Sequence, residues 1–151
     1  MNGLMRILYA EDNDRDVELT LTAFQACNLA NEVDVVRDGQ AVMDYLTFQG
    51  AYRTRAREYP ALVLLHIKMP RVDGIEVLRR IKGDARLRLI PVVMLTSSRE
   101  ERDLVETYNL GVNAYVVKPI DFSEFLKSVK QLGVFWAIVN ERPPVAMTGE
   151  G

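Results

Sequence analysis

Five short apolar runs alternate along the chain with five segments of helical character. The runs are Arg6 to Ala10, Val33 to Val36, Leu62 to Leu65, Val92 to Leu95 and Tyr115 to Val117. The first, third and fourth are almost continuously apolar, as expected of parallel strands covered on both faces. Val17, Leu21 and Phe24 then recur at helical spacing from Asp14 onward. Val72, Ile75, Leu78 and Ile81 follow the third run, and Leu104, Val105 and Tyr108 follow the fourth. Phe122, Phe125, Leu126, Val129, Leu132 and Trp136 follow the fifth. Strict alternation with short links predicts an α/β fold, a doubly wound five-stranded parallel sheet with helices on both faces.

Two stretches exceed this minimal plan. Residues 50–60 form a polar, arginine-rich connection before the third strand. The last helical segment is long and carries a second apolar set, Val134, Phe135, Ile138 and Val139, too wide for one stripe facing the sheet. Pro143 and Pro144 stop any helix. The expected organisation is one domain over 1–140 with an extended C-terminal helix, then an arm or flexible tail over 141–151.

Composition narrows the class. A chain of 151 residues with 48% hydrophobic and 26% charged content is that of one globular domain. A formal net charge of -2 gives no general reason to expect nucleic acid or an anionic membrane as partner. Arg53, Arg55 and Arg57 are read as a solvated loop face rather than an acid-binding patch. The lone Cys27 cannot form an internal disulfide and is read as a small side chain near a helix end. No signal peptide and no run near the ~20 residues of a membrane span are found, so a cytoplasmic protein is expected.

In an open parallel sheet, functional groups gather at the carboxyl ends of the strands. Those ends carry Glu11 and Asp12, then His66, then Thr96, then Lys118 followed by Pro119. Two adjacent acids after a buried strand are costly unless they hold a cation, pair with a base, or serve as an ordinary N-cap cluster. A hard divalent ion needs only one or two such carboxylates. With a lysine to pair with an anion and a hydroxyl to donate to it, the set suits phosphoryl transfer onto a carboxylate.

The ordered set Glu11-Asp12-Asn13, Lys68-Met69-Pro70-Arg71-Val72-Asp73-Gly74, Thr96-Ser97-Ser98 and Lys118-Pro119 resembles the receiver domain of two-component response regulators, across about residues 5 to 132. The resemblance implies a flavodoxin-like strand order 2-1-3-4-5. It implies Mg²⁺ bound directly by Asp12, through water by Glu11, and by the backbone carbonyl of Lys68. It also implies a cis peptide between Lys118 and Pro119. Thr96 and Tyr115 would form the switch pair, although Thr96 also reads as a cap and Tyr115 as packing. Phe48-Gln49-Gly50-Ala51-Tyr52 and the Phe135-Trp136 stretch ending at Val139 are similar to response regulators that partner phytochrome-type sensor kinases. That subgroup implies a homodimer through the fourth and fifth helical segments, here Leu104, Tyr108, Val134, Phe135, Ile138 and Val139.

One position departs from the family. Two residues before Lys68, where the resemblance implies the aspartate that becomes phosphorylated, the chain carries His66. Three readings stay open. A protonated His66 pairs with Glu11 or Asp12 and fills the metal's place. A neutral His66 joins them as ligand to a softer cation such as Zn²⁺ or Mn²⁺. Or His66 itself, or a neighbouring acid, accepts the phosphoryl group.

Mg²⁺ binding is expected to be weakened. The leading expectation is a non-enzymatic response regulator that docks to a sensor histidine kinase, through its first helix and the loop after the fifth strand, without normal aspartyl phosphorylation. The rivals are a Mg²⁺-dependent phosphoryl carrier using another acceptor and a phosphorylation-independent dimeric scaffold. Direct DNA contact is poorly supported by the charge and by the lack of a helix-turn-helix segment.

Overall fold

The computed structural model describes residues 5–96, 114–118 and 120–131. Its strands are β1 (Ile7–Ala10), β2 (Val33–Val36), β3 (Leu62–His66), β4 (Val92–Thr96) and β5 (Tyr115–Val117). The described helices are α1 (Asp14–Ala26), α2 (Gly39–Thr47), α3 (Gly74–Lys82) and α4 (Phe122–Gln131). Short 3-10 turns at Gly50–Tyr52 and Leu87–Leu89 precede β3 and β4. All pairings are parallel, in the order β2-β1-β3-β4-β5, as expected from the alternation and the resemblance.

The apolar runs are continuous because each strand feeds two cores. Leu8, Val63, Leu65 and Met94 face α2 and α3, packing on Val42, Leu46, Leu78 and Ile81. Ile7, Tyr9, Leu64, Val93 and Val116 face the other side, packing on Val17 and Phe24 of α1 and on Phe125 and Val129 of α4. Asn13, Asp38 and Asp73 cap the first three helices, each side chain accepting an N–H of the first turn at 2.8–3.0 Å.

Three local expectations change. The first strand starts at Ile7, because the Arg6 guanidinium is drawn out to Asp34, bidentate at 2.7 Å, and to Glu32. Val72 precedes α3, whose first turn starts after the Asp73 cap. Arg55 is half-buried and turned inward: it donates to the carbonyls of Tyr45, Ala56 and Glu58, and its guanidinium lies 3.8 Å over the Tyr45 ring and 4.4 Å over Phe48.

Among the described residues no helix is long and apolar enough to cross a membrane. The dimer residues Leu104, Tyr108, Val134, Phe135, Ile138 and Val139 lie outside the described residues, as do Trp136, Pro119 and the 141–151 arm.

Candidate functional site

Three strand ends and one helix start converge at the carboxyl edge of the sheet. Glu11 leaves β1 with its backbone N–H bonded to Val36, and its side chain is fully buried. His66 is the last residue of β3, the central strand. Gly74 fixes the backbone there. Its N–H donates to Ile67 O at 2.6 Å, and a Cβ at that position would stand 2.2 Å from the His66 carbonyl oxygen. Only glycine lets the start of α3 approach this closely.

Lys118 arrives from the end of β5, its N–H bonded to the Thr96 carbonyl at 2.8 Å. Its Nζ donates to Glu11 Oε1 at 2.9 Å and to Asp16 Oδ2 at 2.7 Å, and lies 3.3 Å from His66 Nδ1. Burial works against the ammonium's charge. The bonds from Asp16 and Glu11 outweigh it and hold Lys118 above its ordinary value.

His66 turns its other nitrogen to the acids, with Nε2 3.7 Å from Glu11 Oε2 and 3.8 Å from Asp12 Oδ1. Its side chain is 12% exposed, whereas Asp12 is 40% exposed and has no closer charged partner among the described residues. Lys118 is therefore the cation that reaches Glu11, not His66. An imidazolium would also turn an Nδ1–H donor against the ammonium. The contact at Nδ1 fits a ring that keeps a lone pair there.

Of the residues singled out from sequence, Glu11, Asp12, His66 and Lys118 meet in one cluster. Thr96 is buried beside it at the end of β4. Tyr115 is half-buried against the Met94 core, one diagonal step from Thr96 on the same sheet face. Lys68 follows in the loop after β3 with its side chain exposed; its carbonyl as a ligand is carried by the resemblance alone. Asp16 was missed. Its signal was an acid in the first turn of α1, one turn past the Glu11-Asp12 pair, which reads equally well as an ordinary helix-dipole residue.

A doubly wound sheet with acids after its first strand and a lysine after its last defines a receiver-type signalling module. The chain belongs to the response regulator receiver domain family, whose model matches residues 7–130. It is similar to the bacteriophytochrome response regulator AtBRR, at 60% identity and a TM-score of 0.87, covering 91% of this chain and 99% of that one. It is 38% identical to response regulator Rcp1 of Synechocystis sp. over 86% of this chain and 87% of that protein. Rcp1 has been solved in an Mn²⁺-bound form, with a TM-score of 0.69 to this chain. The phosphorylated cyanobacterial phytochrome response regulator RcpA is 39% identical over 89% of this chain and 94% of that one, also with a TM-score of 0.69. Receiver domains are signalling proteins rather than enzymes as a class.

The family's cation can be tested against the donors present. One ligand atom each from Glu11, Asp12 and His66 lies within 4.8 Å of the others. Mg²⁺ asks for an octahedron of oxygens at ~2.0–2.1 Å. An imidazole nitrogen pointing into that space does not fit it.

Proposed function

We propose that this chain is a response regulator that docks to a sensor histidine kinase of the phytochrome type and signals by binding, without a durable aspartyl phosphate. One observation carries the reading: the side chain that ends β3, between the acids after β1 and the lysine after β5, is the imidazole of His66. An acyl phosphate needs a carboxylate, and an imidazole offers only a P–N bond. The kinase class follows from the names of the similar proteins, AtBRR and RcpA.

In this reading Glu11 and Asp12 keep the acidic rim, Lys118 pairs with Glu11, and Thr96 and Tyr115 would form the switch pair. The domain is read as 1–140 with an arm over 141–151. Pairing of two copies would run through Leu104, Tyr108, Val134, Phe135, Ile138 and Val139. A cytoplasmic location and no nucleic-acid partner complete the reading.

The test is intact-mass spectrometry after incubation with acetyl phosphate and Mg²⁺, comparing the chain with its His66→Asp variant. Only the variant is expected to gain a phosphoryl group. Uptake by the unsubstituted chain would overturn the reading and make it a phosphoryl carrier whose acceptor must be mapped.

A further inference from the structure

The misfit with Mg²⁺ has a positive side. Glu11 divides its two oxygens: Oε1 accepts from Lys118 at 2.9 Å, and Oε2, which takes a long bond from the Asn13 N–H at 3.4 Å, faces His66 Nε2 at 3.7 Å. Asp12 Oδ1 faces the same nitrogen at 3.8 Å. Donors around a four-coordinate ion with bonds of ~2.1 Å stand roughly 3.4 Å apart. A contraction of a few tenths of an ångström therefore brings each carboxylate to that distance from the imidazole, and the two carboxylates, within 4.8 Å of each other, close the rest as Asp12 turns inward. Asp12 supplies the freedom, since it is 40% exposed at a loop position.

Two carboxylate oxygens and one imidazole nitrogen are a donor set for borderline divalent ions, not for hard ones. We infer that Glu11, Asp12 and His66 form a site selective for a borderline transition ion, Zn²⁺ being the probe, over Mg²⁺. The inference rests on the reading of His66 given above and changes the cation that this end of the sheet takes. Solvent water completes the shell at the exposed Asp12 side.

Binding at Nε2 puts the imidazole proton on Nδ1, which now faces Lys118 at 3.3 Å. Lys118 must then leave His66. Its bonds to Glu11 Oε1 and Asp16 Oδ2 keep its charge paired as it does so. Cation and lysine thus share Glu11, one oxygen each.

The chain makes the test clean, because His66 is its single histidine and Cys27 its single cysteine. In an untagged Cys27→Ser background, the experiment titrates Zn²⁺ and Mg²⁺ separately by calorimetry and follows the imidazole ¹⁵N resonances. One Zn²⁺ per chain is expected, at least about tenfold tighter than Mg²⁺, with a shift of the coordinated nitrogen. His66→Ala and Asp12→Asn should each weaken Zn²⁺ by about tenfold or more, and His66→Asp should narrow the margin of Zn²⁺ over Mg²⁺. The exposed Asp12→Asn change guards against misfolding of the His66 variants, whose fold is checked by circular dichroism.

Mg²⁺ binding as tight as Zn²⁺, unshifted imidazole resonances, or undiminished Zn²⁺ affinity in folded His66→Ala would each overturn the inference. Failure here is separable from failure of the functional reading. Phosphoryl uptake with Zn²⁺ still bound refutes only the latter, and no uptake with no Zn²⁺ binding refutes only the former.

Discussion

Two ion clusters in this molecule are built around a carboxylate and differ in how much of it they use. Along the edge strand β2, Asp34 takes both nitrogens of the Arg6 fork at 2.7 Å and the Tyr45 hydroxyl at 2.5 Å. Arg55 then stacks on the Tyr45 ring. Both oxygens of that carboxylate accept short bonds, three in all, which suits a cluster that only fixes geometry. At the carboxyl edge, Glu11 gives one oxygen to Lys118, while the other takes only a long bond from the Asn13 N–H at 3.4 Å and stands 3.7 Å from His66, too far for a hydrogen bond. Asp12 stands open to solvent beside it. A closed cluster is structural, and one with acceptors in reserve is where a ligand or partner can act.

Removing one donor from each of the two clusters should therefore have unequal effects. Lys118→Met leaves fully buried Glu11 without its cation and is expected to cost about 3 kcal/mol in urea unfolding. A loss below ~1 kcal/mol would mean that His66 or solvent takes over the charge, and the contrast would weaken. Tyr45→Phe removes one donor from Asp34 while Arg6 keeps the other bonds. The expected cost is about 1.5 kcal/mol by the same measurement. If it exceeds that of Lys118→Met, the edge cluster rather than the site cluster dominates stability.

The smallest effect is in pH. Burial pushes the Asp34 carboxyl up, but the bonds from Arg6 and Tyr45 outweigh it and hold it below its ordinary value. A lowered folded value means that the unfolded chain takes the proton first. The stabilisation is whole above the ordinary value near ~4 and is lost as pH falls through the lower folded value. Urea midpoints of the chain and of Asp34→Asn should therefore run parallel above about pH 5 and converge below it. A constant gap down to the acid limit would show that Asp34 contributes no linked proton.

Much of this was legible in the sequence. Continuous apolar runs such as Leu62 to Leu65 announce strands covered on both faces, and the alternation with helical spacing follows from that. Glu11, Asp12, His66 and Lys118 could be read as one site because strand ends in a parallel sheet must share an edge. The Asp16 partnership could not, since it joins positions 102 residues apart and Asp16 alone looks like a favourable first-turn acid. Arg55 was hidden for a similar reason. Among Arg53 and Arg57 it looks like a solvated loop charge, and its place over Tyr45 follows a chain reversal through two left-handed residues, Phe48 at φ 58° and Gly50 at φ 53°.

That inward arginine has a consequence for how the sheet ends. A strand at the margin of a sheet offers unpaired backbone groups and invites further strands to join. Here β2 and the segment from Tyr52 to Pro60 wall the same cleft of about 490 Å³, with Arg55 tying that segment to α2 through the Tyr45 carbonyl. Arg55 thus fixes the connection that runs beside this margin, the one farthest from β5, so the cleft next to β2 keeps its far wall in place.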